Sequence, residues 1–176
     1  MAESLHTRFL RWKFNWFPPY RRSGARVTYI DATRREVRVR LPLNRRTRNL
    51  NGTIYGGSIY AAVDPIHAVM LASLLGPQDY VAWTKEAHIR FLRQARTDLT
   101  ATFRLEEAEV EEVRRDLARD GRVERRYPAE LRDTAGHLCA RCEILVHLHA
   151  RRAEGRRATA AITKDEAAPA EAPTAR

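Results

Sequence analysis

Cysteine is scarce in this chain. Its 176 residues hold only Cys139 and Cys142, which excludes a disulfide-stapled scaffold and a multi-cysteine zinc module. The two form a C-x-x-C pair inside a segment of strand character, where side chains three apart point to opposite faces. Their sulfurs therefore do not converge on one metal ion or one disulfide, and two small core residues are expected. His147 and His149 share a strand face without a carboxylate at ligand spacing, so no metal is assigned. Long apolar runs are missing as well. No segment is expected to span a bilayer, and the N-terminus lacks an apolar stretch ending in a small-residue cleavage site. The expected address is cytoplasmic. Acidic charge is in deficit: the formal net charge is +10, carried almost wholly by arginine. Glutamate and aspartate are nevertheless interspersed through the same segments, a pattern that favours solubility over nucleic-acid recognition. No specific nucleic acid is expected; charge alone leaves open a phosphate-bearing cofactor, a nucleic acid or an acidic membrane surface. Internal repeats are absent.

With 44% hydrophobic residues, the chain can build one core and is too short for two ordinary domains. Residues 1–20 read as an N-terminal amphipathic helix packed on the domain, 21–150 as the domain itself, and 151–176 as a disordered tail rich in Ala, Glu, Arg and Pro. In the first segment Leu5, Phe9, Trp12 and Trp16 recur at helical spacing among Arg8, Arg11 and Lys13, until Pro18 and Pro19 end the helix. Such a helix suits a membrane surface; the reading preferred here docks its aromatic face on the domain or on a second subunit.

Strands are expected at 25–30 and 36–41, where Val37, Val39 and Leu41 alternate with Arg38 and Arg40 as in a half-wet antiparallel sheet. Further strands are expected at 81–92, 99–105, 123–132 and 138–149, with a charged helix over 106–119 closed by Asp120-Gly121. Between the two groups, residues 58–75 read as a helix apolar nearly all round, which belongs in the middle of a structure. These elements specify an α+β domain whose curled antiparallel sheet wraps round a central apolar helix, with an extra N-terminal helix.

The chemistry-bearing pattern is Asn49, then Gly52, then Tyr55-Gly56-Gly57, with Asp64 in the helix that follows. This spacing resembles the Asn-x-x-Gly-x-x-His-Gly-Gly motif and later aspartate of hotdog-fold acyl-CoA thioesterases of the phenylacetate-degradation type. The Asn15-Trp16-x-Pro18-Pro19 segment and Asp64-Pro65 look like an uncharacterised branch of that superfamily, a domain of unknown function. The resemblance implies a hotdog fold and hydrolysis of an acyl thioester, with no cofactor beyond the coenzyme A of the substrate. It implies that Gly56 and Gly57 donate backbone N–H groups to the carbonyl oxygen at the start of the helix. Asp64 would act as base or nucleophile across a dimer interface, with Asn49 orienting the water or the loop. A homodimer, and from it a dimer of dimers, follows.

Gly52, Thr84, Arg90, Arg93 and Arg96 are assigned to substrate binding, the arginines for the phosphates of coenzyme A. Two departures stand out. Tyr55 replaces the family's histidine, and a tyrosine hydroxyl donates a hydrogen bond without titrating near neutral pH. Pro65 either kinks the central helix at Asp64 or makes Asp64 the cap of a second segment. His67, three residues on, reads as a packed core residue rather than a partner of Asp64. The alternative function is a non-catalytic hotdog protein that binds an acyl ligand or another protein; a hotdog hydratase fits less well.

Overall fold

The computed structural model describes residues 2–151; the tail expected to be disordered lies almost entirely outside them. Two helices lead, α1 (Leu5–Trp16) and α2 (Pro18–Ser23), followed by β1 (Arg26–Ile30), β2 (Glu36–Leu41), α3 (Gly56–Val63), α4 (Ile66–Leu75), β3 (Tyr80–Phe91), β4 (Leu99–Arg104), α5 (Glu107–Asp120), β5 (Arg122–Arg132) and β6 (Leu138–Ala150). The six strands form one antiparallel sheet in the order β1-β2-β4-β5-β6-β3. Pairing runs the length of β5–β6 and β6–β3, with one register shift in each, at Leu131/Arg132 and Thr84/Glu86, whereas β4 and β5 pair at a single position, Thr100 opposite Arg132.

Alternation decides which sheet face is dry. In β2 the apolar Val37, Val39 and Leu41 are buried and the arginines between them are exposed. In β6 Cys142, Ile144, Val146 and Leu148 are all but inaccessible. These residues meet α3 and α4 in one core with Phe103, Leu99, Leu131 and Leu71. Both cysteines are free and buried, and burial pushes the Cys142 thiol up to about 11, leaving it a poor nucleophile. Helix α5 adds Val110, Val113 and Leu117 to the core and ends at Gly121, whose φ of 68° suits only glycine comfortably.

The structure refines three expectations. The central helix is two helices, because Pro65 has no N–H to continue the ladder and the chain turns at Asp64–Pro65. Pro18 and Pro19 end α1 and also begin α2, the position where a proline's missing N–H costs nothing. By length and composition Gly56–Leu75 is apolar enough to cross a bilayer, but Asp64 and Pro65 interrupt it and more than half of it is buried in the core.

Helix α1 also faces the other way from the expected one. Its docked side carries the buried Thr7, with Leu10, Phe14 and Asn15 half-buried. The Asn15 amide donates to the Val27 carbonyl and accepts from the Val27 N–H, both at 2.8 Å, tying α1 to β1. Phe14 packs on the buried Tyr20 at 4.6 Å. The aromatic stripe assigned to docking points outward.

Candidate active site

The Asn49–Ile54 loop is organised by Asn49. Its side-chain oxygen accepts from the N–H groups of Asn51 (2.9 Å) and Thr53 (3.1 Å), and its amide donates to Thr53 Oγ1 at 2.9 Å. These bonds leave the amide shaping the loop. Gly52 sits at the tip with a φ of 75° and open space around it, so its glycine serves the turn, away from the cleft lining. The loop is anchored by Ile54 N–H on the Ala95 carbonyl and Tyr55 N–H on the Thr47 carbonyl.

Helix α3 starts directly after. Ser58 and Ile59 donate to the Tyr55 carbonyl, while the Gly56 and Gly57 N–H groups, at the head of the helix, have no acceptor among the described residues. First-turn N–H groups have no intrahelical partner and carry the positive end of the helix dipole. The glycines also have a packing reason. A Cβ on Gly56 would lie 3.0 Å from Phe91 Cζ, and one on Gly57 would overlap the Tyr55 ring. Tyr55 itself is 59% exposed and leans across the helix start.

Beside this helix head lies a cleft of about 500 Å³, lined among others by Asn49, Thr53, Gly56, Ile59, Phe91 and Arg93. A second cleft of about 340 Å³ continues past Arg93 to Gln94, Arg96, Thr97 and Asp133. Arg93 thus borders both clefts and Arg96 the second. Arg96 is held by a 2.6 Å hydrogen bond to Gln94 Oε1. Arg90 lies apart from them, on β3 opposite Arg141 of β6.

Asp64 ends α3. Its carboxylate accepts a 3.0 Å hydrogen bond from the Tyr60 hydroxyl, a pair one helical turn apart. Burial and this bond to Asp64 hold the Tyr60 phenol above its ordinary value. The alternative in which Asp64 caps the next segment is overturned: α4 has no side-chain cap at its start. The break is stitched instead by two hydroxyls, Tyr20 donating to the Ala62 carbonyl (3.2 Å) and Thr84 to the Asp64 carbonyl (2.8 Å). Thr84 is therefore beside Asp64, through its backbone. Tyr60 was missed from the sequence, although its i, i+4 spacing to Asp64 was visible there.

At 1.5 Å rise per residue, the head of α3 and Asp64 are separated by roughly 11 Å along the helix axis. His67 is buried in the core, stacked on Tyr127 at 4.6 Å and edge-on to Phe103 at 5.1 Å, with no bond to Asp64. No group of metal-ligating side chains occurs among the described residues.

Comparison with solved structures places this architecture. A Pseudomonas aeruginosa protein of unknown function, described as a "Probable Thioesterase", superposes with a TM-score of 0.76 at 21% identity, covering 86% of this chain and 100% of that one. A Haemophilus influenzae thioesterase superposes at 0.62 with 14% identity, covering 85% and 93%. A Chlorobaculum tepidum protein of unknown function reaches 0.68 at 14% identity, covering 81% and 93%. At such identities the likeness establishes the hotdog fold. A search among curated proteins finds no match. The family model described as Domain of unknown function (DUF4442) matches residues 6–148, and the chain belongs to that family.

Proposed function

We propose that this protein is an acyl-CoA thioesterase-like enzyme whose site forms between two copies of the chain. The observation that carries the reading is the pair of unsatisfied N–H groups at Gly56 and Gly57, at the head of a core helix beside an open cleft. Asp64 on the same helix stands roughly 11 Å along its axis from those N–H groups, and in this reading the Asp64 of a second copy completes the site. A second copy has a place to bind: β3 is a 12-residue edge strand of the sheet, with Trp83 and Phe91 exposed along it.

In the proposed reaction, Asp64 takes a proton from water as the water oxygen bonds to the thioester carbon. The two N–H groups hold the oxyanion that develops. Collapse breaks the C–S bond, and the departing thiolate takes the proton back from Asp64, leaving a carboxylic acid and a free thiol. Attack by the Asp64 carboxylate itself, through an anhydride that water then opens, uses the same geometry. Tyr60 fixes the carboxylate rotamer. Arg93 and Arg96 border the clefts where coenzyme A phosphates would be held.

The test is thiol release from short, medium, long and aromatic acyl-CoAs, comparing wild type with Asp64→Asn and Tyr55→Phe, alongside sizing with light scattering. Asp64→Asn is expected to lower turnover roughly a hundredfold or more with the fold intact. A monomer at micromolar concentration refutes the shared site. Ligand binding without turnover on any acyl-CoA replaces hydrolysis with the acyl-binding reading.

A further inference from the structure

The outer side of α1 is an uncovered aromatic stripe. Leu5, Phe9, Trp12 and Trp16 are 82%, 58%, 56% and 55% exposed, and Phe17 continues the stripe at 54%. The rings order one another, Phe9 stacking on Trp12 at 5.9 Å and Trp12 leaning on Trp16 at 6.1 Å. Cations border the stripe. At 3.6 residues per turn Arg8 falls roughly 70° to one side of its midline and Lys13 roughly 70° to the other. The Arg21 guanidinium lies 4.5 Å over the Trp16 ring, and Arg22 follows on α2. The only carboxylate before Asp31 is Glu3, which Arg11 takes at 2.8 Å. Arg8 lies within the field of the same Glu3 carboxylate without a salt bridge to it, and among the described residues Lys13, Arg21 and Arg22 have no carboxylate partner.

Scattered exposed apolar side chains need no explanation, but a continuous strip of five does. We propose that this face docks the protein on an anionic lipid surface, with α1 lying in the interfacial plane. Tryptophan and phenylalanine enter the headgroup boundary while the flanking cations meet lipid phosphates.

Charge selects this occupant. A second copy meeting the face symmetrically would press Arg8, Lys13, Arg21 and Arg22 against their own images, with only Glu3, already paired with Arg11, to offset them. Anionic headgroups neutralise the same cations. Shape agrees with a lipid. Trp12 and Trp16 also wall a cavity of about 480 Å³ that runs inward past Leu10 and Phe14 to Val69 and Met70 of α4. Its lining is almost wholly apolar, so it accepts a hydrocarbon chain drawn from the bilayer beside it. The cavity shares no lining residue with the cleft at Gly56, so membrane docking stands or falls independently of thioester hydrolysis.

The test is flotation of the full chain with vesicles of phosphatidylcholine alone or mixed with phosphatidylglycerol. Wild type is expected to float with the mixed vesicles, and less as salt rises. Trp12→Ser with Trp16→Ser, and separately Arg8→Glu with Lys13→Glu, is expected to lower partition roughly tenfold or more. Circular dichroism and the sizing profile should stay unchanged, because these side chains are exposed. Wild type that stays at the bottom of the gradient with anionic vesicles at low salt overturns the proposal. So does a tryptophan-pair variant that floats like wild type. A tryptophan-pair variant that dissociates an oligomer while wild type ignores vesicles assigns the face to contact between copies and equally overturns it.

Discussion

His67 makes stability depend on pH in a calculable way. Its ring is buried, its Nδ1 has no hydrogen-bond partner, and burial lowers its pKa from 6.5 to about 4. The folded protein therefore keeps the ring neutral where the unfolded chain protonates it. For a depressed histidine the contribution is fully present above the unfolded pKa and is lost as pH falls through the window from 6.5 towards 4. Between about pH 7.5 and about pH 5 the unfolded chain takes up nearly one proton and folded His67 about a tenth of one, so stability falls by about 2 kcal/mol. His67→Leu removes that titration. At neutral pH it trades the orphaned nitrogen, worth roughly 1–3 kcal/mol, against lost stacking on Tyr127, worth roughly 1 kcal/mol. The informative readout is the pH slope. Urea unfolding at both pH values and one fixed protein concentration should show wild type losing about 2 kcal/mol more than the variant. Equal losses in the two proteins refute the reasoning, since surface carboxylates titrate alike in both.

Three other outcomes follow from the site. Asn49→Ala removes three loop hydrogen bonds and should cost roughly 1–3 kcal/mol in chemical denaturation. Gly57→Ala should be destabilising because its Cβ overlaps the Tyr55 ring, and Tyr55→Ser in the same chain should recover most of the loss; a thermal-shift double-mutant cycle reads a coupling of about 1 kcal/mol. Thr84→Val leaves the Asp64 carbonyl without its hydroxyl donor, costs about 1 kcal/mol, and should lower thioester turnover more than Arg90→Ala, a residue outside both clefts.

Much of the fold was legible from short-range pattern. Alternation marked β2 at the residues observed, Gly121 closed α5, and Pro65 announced a disturbance at Asp64, because proline's ring and missing N–H act within a single turn. The glycine pair at the head of α3 was legible by its spacing, and Tyr60 could have been found from the same helix one turn before Asp64. The outward face of α1 was not legible. Both of its sides carry apolar residues, Leu10 and Phe14 on one and the aromatic stripe on the other, and the choice was made by the Asn15 amide meeting the edge of β1.

Phe91 over Gly56, and Thr84 on the Asp64 carbonyl, likewise join residues tens of positions apart. By itself the sequence determined the elements, their ends and the residues able to do chemistry, since propensity, capping and periodicity act over a few residues. Only the tertiary structure decided which of those residues meet and which face is left uncovered, because those outcomes come from competition among distant surfaces for the same core.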